Sequence, residues 1–235
     1  MPTHHLISRK IQSIYQKNYL EHGDTPQGTF QNDSVTQQLR FERLLKNFQP
    51  SFSRFPQKTN TPVRFLDVGC GTAGLHEYLN QLNISHSFTG LEIVKEMANT
   101  AKSKFPSINI INSDIMEFKS KHNYDIVLQS GMFNKPSVNI KKEWRNYCRQ
   151  IVKKMYSLSK MGIAFNSLTT YNTFSDKSLF YFEPEEWFSF CQKNLSRYVF
   201  LDHAYPLYET AVTVLKPEFI ATLFPENELK KYHKN

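Results

Sequence analysis

From residue 63 onward, short apolar runs alternate with stretches whose apolar positions lie three and four apart. A short apolar run closed by turn residues reads as a buried strand, and i, i+3, i+4, i+7 spacing reads as one face of a helix. Val63–Val68, Ser87–Leu91, Ile108–Ile111, Tyr124–Leu128 and Gly162–Phe165 are the first five predicted strands. Between them, Leu75, Tyr78, Leu79 and Leu82 mark one helix. Met97, Ala101 and Phe105 mark a second that stops at Pro106, and Trp144, Tyr147, Cys148, Ile151 and Met155 a long third. Strands and helices in alternation imply a parallel sheet wrapped by helices, a doubly wound α/β domain.

The rhythm changes at both ends. Residues 167–183 are aromatic and polar without a clear period, and Pro184–Gln192 reads as a helix. Two closing strands, Tyr198–Leu201 and Thr210–Leu215, are joined by only eight residues. A parallel crossover needs about a dozen or more, so this last pair is expected to be antiparallel. At the start, Ile11, Ile14, Tyr15 and Tyr19 form a partial helical stripe, followed by turn chemistry over residues 21–28. Leu39, Phe41, Leu44, Leu45 and Phe48 then give a second helical face beside Arg40 and Arg43, and residues 49–62, with three prolines, read as a linker. The expected division is a helical extension over 1–60, an α/β domain over 61–216 and a charged tail over 217–235.

Composition narrows this only a little. With 235 residues, 40% hydrophobic and 14% aromatic, the chain suffices for one α/β domain and a modest addition. No apolar run approaches the roughly 20 residues that span a bilayer. Met1-Pro2-Thr3-His4-His5 lacks the charged-then-apolar layout of a signal peptide, so a cytoplasmic location is expected. Cys70, Cys148 and Cys191 are far apart and contain no CxxC pair, which fits a reducing compartment and offers no zinc site. The net charge of +8 is scattered over Lys119, Lys121, Lys141, Lys142, Lys153, Lys154, Lys230 and Lys231. It reads as a solvated surface rather than a nucleic-acid footprint.

The chemistry concentrates in residues 65–74, Phe-Leu-Asp-Val-Gly-Cys-Gly-Thr-Ala-Gly. Gly69, Gly71 and Gly74 fit the G-x-G-x-x-G turn that lets backbone approach a nucleotide-like ligand, a pattern several cofactor classes share. Asp67 discriminates among them: its charge would repel a pyrophosphate, whereas a cationic ligand would favour it. Further polar groups fall at successive strand ends, Glu92 after strand two, Asp114 after strand three and Gln129-Ser130-Gly131 after strand four. Ligands of a doubly wound sheet bind beyond those ends, and Glu92 stands 21 positions after Gly71, near the interval at which an acid reaches a ribose diol.

These residues resemble those of the class I S-adenosylmethionine-dependent methyltransferases. Leu66–Gly74 resembles that family's first motif, Gly90-Leu91-Glu92-Ile93 its ribose motif, Ser113-Asp114-Ile115 its adenine-contacting motif, and Tyr124–Leu128 its fourth strand. The resemblance spans residues 63–215. It implies a Rossmann-like seven-stranded sheet of order 3-2-1-4-5-7-6 with strand seven antiparallel, a helical lid from the N-terminal extension, and S-adenosylmethionine as cofactor. The implied cofactor-binding residues are Asp67, Gly69, Cys70, Gly71, Glu92, Ile93, Asp114, Ile115, Gln129 and Ser130. Two softer strings, Tyr19–Gly23 with Gln38–Phe41, and His203–Glu209, resemble a subgroup associated with surface polysaccharides or small metabolites. They add Tyr19 and Arg40 as lid contacts, Arg40 being suited to the methionyl carboxylate by bidentate pairing. The alternative for Arg40 is a surface pair with Glu42 or another acid.

Gln129–Asn134 is not the Asn/Asp-Pro-Pro-Tyr motif of amino-group methylation, and Asn166 has no adjacent carboxylate for a metal-dependent catechol site. The expectation is therefore a small-molecule acceptor, a sugar or secondary metabolite methylated on oxygen, with no metal and no membrane or nucleic-acid partner. Candidate bases are His203, whose ordinary pKa suits proton transfer near neutrality, then Tyr208 and Asn134. Two other readings stay open. A nicotinamide-dependent oxidoreductase also fits the glycine turn and Glu92, but not Asp67, Asp114 or an antiparallel finish. An RNA or protein methyltransferase has the net charge in its favour.

Overall fold

The computed structural model describes residues 4–49 and 62–232. Helices α1 (His4–His22) and α2 (Ser34–Leu45) precede the sheet domain. That domain runs β1 (Val63–Val68), α3 (Gly74–Gln81), β2 (His86–Glu92), α4 (Lys95–Lys104), β3 (Asn109–Asn112), β4 (Tyr124–Gln129), α5 (Lys141–Leu158) and β5 (Ser159–Thr169). It continues through β6 (Tyr181–Phe182), α6 (Pro184–Asn194), β7 (Val199–Asp202), β8 (Glu209–Leu215) and α7 (Pro217–Leu223). Nearly all of the linker read from the sequence lies outside the described residues.

The strands lie in the order β3-β2-β1-β4-β5-β8-β7, which is the 3-2-1-4-5-7-6 arrangement with the closing hairpin now numbered β7 and β8. β8 is antiparallel to both of its neighbours, pairing Asn166 with Ala211 and Leu168 with Glu209. One strand was not legible in advance. β6 pairs parallel with the end of β5, Leu168 with Tyr181 and Thr169 with Phe182, within the segment that showed no period. Two residues are too few to establish an alternation, and β5 itself runs past Phe165 to Thr169.

Alternation along the strands divides the core between the two faces of the sheet. Leu66, Val127, Ile163 and Phe165 pack with Trp144, Ile151 and Met155 of α5 and Trp187 of α6. Their neighbours Phe65, Ile126, Leu128 and Ala164 pack with Leu75 and Leu79 of α3 and Phe41, Leu44 and Leu45 of α2. Helix α2 therefore contributes to the core. Asp33 caps it, its side chain accepting from Thr36 N at 2.8 Å. The segment read as a charged tail begins with α7, which buries Phe219 and Ile220 on the same face.

Helix α1 crosses the carboxyl ends of the strands. Gln12 donates to Ile93 O at 2.9 Å, Gln16 to Glu96 Oε1 at 2.8 Å, and the Tyr19 hydroxyl to Thr100 Oγ1 at 2.8 Å, all at or along α4. At its other end the Ser8 hydroxyl meets the Tyr147 hydroxyl on α5 at 3.0 Å. Among the described residues, no helix is long and apolar enough to cross a membrane.

Candidate active site

A cavity of about 530 Å³ opens where these helices roof the strand ends, and the turn after β1 forms its floor. Gly69 has φ +72°, and a Cβ there would lie 2.7 Å from the Met132 sulfur. Both conformation and space therefore call for glycine. The turn delivers its next residues to β2: Gly69 N and Cys70 N donate to Leu91 O at 2.8 and 3.0 Å. Ala73, at φ 68°, adopts the left-handed conformation just before α3 begins.

Three strand-end acids, Asp67, Glu92 and Asp114, line the cavity together with Gly69, Cys70, Gly71, Ile93, Ile115 and Ser130. Glu92 is buried. Its Oε2 accepts from Gly71 N at 2.9 Å and its Oε1 from Val94 N at 2.8 Å, which ties the glycine turn to the entry of α4. Burial raises the Glu92 pKa, and the bonds from Val94, Gly71 and Ile93 act against that. These backbone bonds leave the carboxylate with accepting capacity for a ligand hydroxyl. Asp67 is also buried, and burial, followed by the nearby Glu92 charge, pushes its carboxyl up to about 7. Asp114 turns one oxygen inward to accept from Met116 N at 2.9 Å.

The opposite side of the cavity is a buried polar relay. Arg40 Nε donates to Glu209 Oε1 and Oε2 at 2.9 and 3.0 Å, and its Nη2 lies 2.7 Å from Oε1. Asn166 Nδ2 donates to Glu209 Oε2 at 2.6 Å while Asn166 Oδ1 accepts from Gly131 N at 2.8 Å. Arg40 Nη1 donates to Gln31 Oε1. Arg40 thus has a buried partner from β8, and Glu42 pairs with Arg43 at 3.4 Å.

Four expected residues lie elsewhere. Tyr19 is anchored to Thr100 and packs with Val94 and Met97, and the residue one turn earlier, Tyr15, lines the cavity. Burial, then Glu92, raises the Tyr15 phenol. Gln129 is fully buried behind the wall, donating to Asn166 O at 2.9 Å and accepting from Met132 N at 3.0 Å. His203 and Tyr208 are exposed on the β7–β8 connection, the His203 ring edge-on to Tyr171 and the Tyr208 hydroxyl bonded to Thr173. Neither lines the cavity, because the connection turns outward before β8 begins at Glu209. Asn134 does line it. Glu209, Gln31 and Tyr15 are cavity residues that sequence reasoning did not select. Glu209 was visible at the end of the His203–Glu209 string, but no local pattern tied it to Arg40. Among the described residues, no group of three or more metal-ligating side chains comes together.

The family of methyltransferase domains matches residues 65–155. A protein of Mycobacterium tuberculosis named as a methyltransferase is 30% identical over 158 residues, 66% of this chain and 94% of its own. Malonyl-[acyl-carrier protein] O-methyltransferase of Bacillus anthracis is 25% identical over 120 residues, 50% of this chain but only 41% of that protein. Among solved structures, the DhpI–SAH complex has a TM-score of 0.59 at 14% identity, covering 90% of this chain and 98% of its own. The magnesium protoporphyrin IX methyltransferase of Synechocystis PCC 6803 with bound SAM has a TM-score of 0.55 at 12% identity, covering 87% and 96%. At these identities the two structures show a shared fold.

Proposed function

The chain belongs to the class I S-adenosylmethionine-dependent methyltransferases, and we propose that it methylates an oxygen of a small-molecule acceptor, a sugar or secondary metabolite. The observation that carries the reading is the convergence of Asp67, Glu92 and Asp114 with the glycine turn on one roofed cavity. These residues suit the cofactor's groups one by one. Glu92, with accepting capacity left after its backbone bonds, would take the ribose diol. Asp114 would accept from the adenine amine, with Ile115 against the ring.

A buried carboxylate held at about 7 faces a strong desolvation cost when ionised, which a cationic ligand relieves. Asp67 would therefore face the ammonium group. Arg40, fixed by Glu209, would offer its remaining N–H groups to the methionyl carboxylate. Bound there, the cofactor supplies an electrophilic methyl on a sulfonium centre. The protein's share is positioning and exclusion of water. The relay through Glu209 and Asn166 holds the Ser130–Asn134 turn, and α1 closes the cavity from above.

The test is methyl transfer from labelled S-adenosylmethionine in the presence of deproteinised metabolite extract, tRNA and cell protein as separate acceptors. Label is expected in small molecules. Label confined to RNA or protein would replace this reading.

A further inference from the structure

The part of the cavity between Gln31 and Asn134, at the carboxyl end of β4, presents hydrogen-bond donors to a ligand, and this follows from bonds made inside the protein. Asn134 Oδ1 accepts from Leu168 N at 3.2 Å, and Gln31 Oε1 accepts from Arg40 Nη1. An N–H donor can meet only the oxygen of a carboxamide, so both amides are fixed in orientation. Their NH₂ groups are what remains for the cavity that both residues line. The Gln31 nitrogen lies 3.5 Å from the point a Cβ on Gly131 would occupy, so it stands at the carboxyl end of β4. The Ser130 hydroxyl, beside it, is buried and has no partner among the described residues. At the rim, Lys135 Nζ sits 4.9 Å above the Phe30 ring.

The same wall has little capacity to accept a proton. Among the described residues, no histidine lines the cavity. Glu209 already accepts from Arg40 at both oxygens and from Asn166. Tyr15 and Tyr147 are held as neutral phenols by burial. An amine acceptor would be cationic at neutral pH and would meet N–H groups and Lys135. A hydroxyl acceptor held by Gln31, Ser130 and Asn134 would find no base among them, and the proton acceptor in the cavity raised toward neutrality, Asp67, is the group that faces the cofactor's ammonium.

We propose that the acceptor is a carboxylate-bearing small molecule, its carboxylate held by the Gln31 and Asn134 NH₂ groups and the Ser130 hydroxyl, and that the product is a methyl ester. This rests on the methyltransferase reading above and names the nucleophile within it. A carboxylate oxygen gives a lone pair to the methyl carbon, the bond from that carbon to sulfur breaks with its electrons left on sulfur, and no proton changes hands. Negative carboxylate and positive sulfonium become neutral ester and neutral thioether, so a wall that lacks a free base suffices.

The test is ligand-observed saturation-transfer NMR on the full chain saturated with S-adenosylhomocysteine, using butyrate, butyramide and butylamine as separate probes. Butyrate is expected to show saturation transfer well above the other two. Gln31→Glu and Asn134→Asp keep the internal oxygens but turn the cavity-facing NH₂ groups into carboxylate oxygens. Each should weaken butyrate binding about tenfold or more, and Asn134→Asp, whose internal bond is to Leu168 N rather than to Arg40, should leave S-adenosylhomocysteine affinity within about twofold of wild type. Equal or stronger transfer from butyramide or butylamine, no transfer from any probe, or unchanged butyrate binding in both variants would overturn the proposal. Failure of S-adenosylhomocysteine to bind at all would instead remove the methyltransferase reading.

Discussion

Arg40 and Glu209, 169 positions apart, form a buried ion pair in which the guanidinium reaches the carboxylate through Nε and Nη2 at 2.7–3.0 Å. It joins the N-terminal helix α2 to the first residue of β8 at the cavity wall. Removing one partner strands the other charge away from water. Arg40→Ala and Glu209→Ala should each destabilise the fold by roughly 3–5 kcal/mol, with the double variant costing much less than the sum. Urea unfolding of the four proteins checks this, and additive losses would mean that the two charges do not depend on each other.

Asp67 should make stability depend on pH in an unusual direction. Burial, then the Glu92 charge, pushes its carboxyl up to about 7 in the folded chain, against an ordinary 3.8. Between those values the folded chain holds a proton that the unfolded chain has lost. Stability from this group therefore falls as pH rises from about 4 to 7 and is level above that. Asp67→Asn should be more stable than wild type at pH 8 by on the order of 1–3 kcal/mol, with the gap closing toward pH 4. The same variant should bind S-adenosylhomocysteine more weakly. Denaturant titrations at a series of pH values give the first result and calorimetry the second. A gap that widens on acidification would contradict the direction of the shift.

Affinity should respond to pH through the same residue. A cationic amino group facing Asp67 favours the ionised carboxylate, so wild-type affinity for S-adenosylmethionine should rise as pH increases through about 7. Asp67→Asn should lose most of that dependence. An equally steep profile in the variant would place the titrating group elsewhere.

Glu92→Ala should weaken S-adenosylhomocysteine binding by roughly 1–3 kcal/mol, because it removes the proposed ribose acceptor and releases the Gly71 and Val94 amides. Glu92→Gln keeps one oxygen acceptor and should recover part of the loss. Affinity unchanged in both variants would contradict the ribose role.

The glycine turn offers a pair of backbone tests. Gly69→Ala brings a methyl against the Met132 sulfur at 2.7 Å in a left-handed residue, for a cost of about 1–3 kcal/mol. Ala73 already spends that conformation at φ 68°, so Ala73→Gly should be neutral to stabilising by up to about 1 kcal/mol. Thermal melts of the two variants should therefore move in opposite directions, or Ala73→Gly should not move at all.

The sheet was legible because its central strands are short runs apolar on both buried faces, and three strands lead into acids. Phe65 and Leu66, or Ile126 and Val127, already name opposite layers, and Asp67, Glu92 and Asp114 stand where strands stop. The lid was less legible. Tyr15 and Tyr19 share one helical face, and periodicity cannot say which of the two reaches a cavity and which an adjacent helix. His203 has chemistry suited to a base, but its place on an outward-turning connection is decided by where β8 begins. Arg40–Glu209 and Asn166–Gly131 are contacts between segments far apart in the chain, and no local pattern encodes them. The orientation of the Gln31 and Asn134 amides depends on further contacts of this kind, with Arg40 Nη1 and Leu168 N, and becomes readable only with the fold.

The central claim is that the cavity at the strand ends holds a sulfonium cofactor rather than a dinucleotide. Calorimetric titration of the full chain with S-adenosylhomocysteine and with NAD tests it most directly. Saturable binding of S-adenosylhomocysteine that weakens in Glu92→Ala, with no heat from NAD, is the expected result. Tight NAD binding with no response to S-adenosylhomocysteine would contradict it.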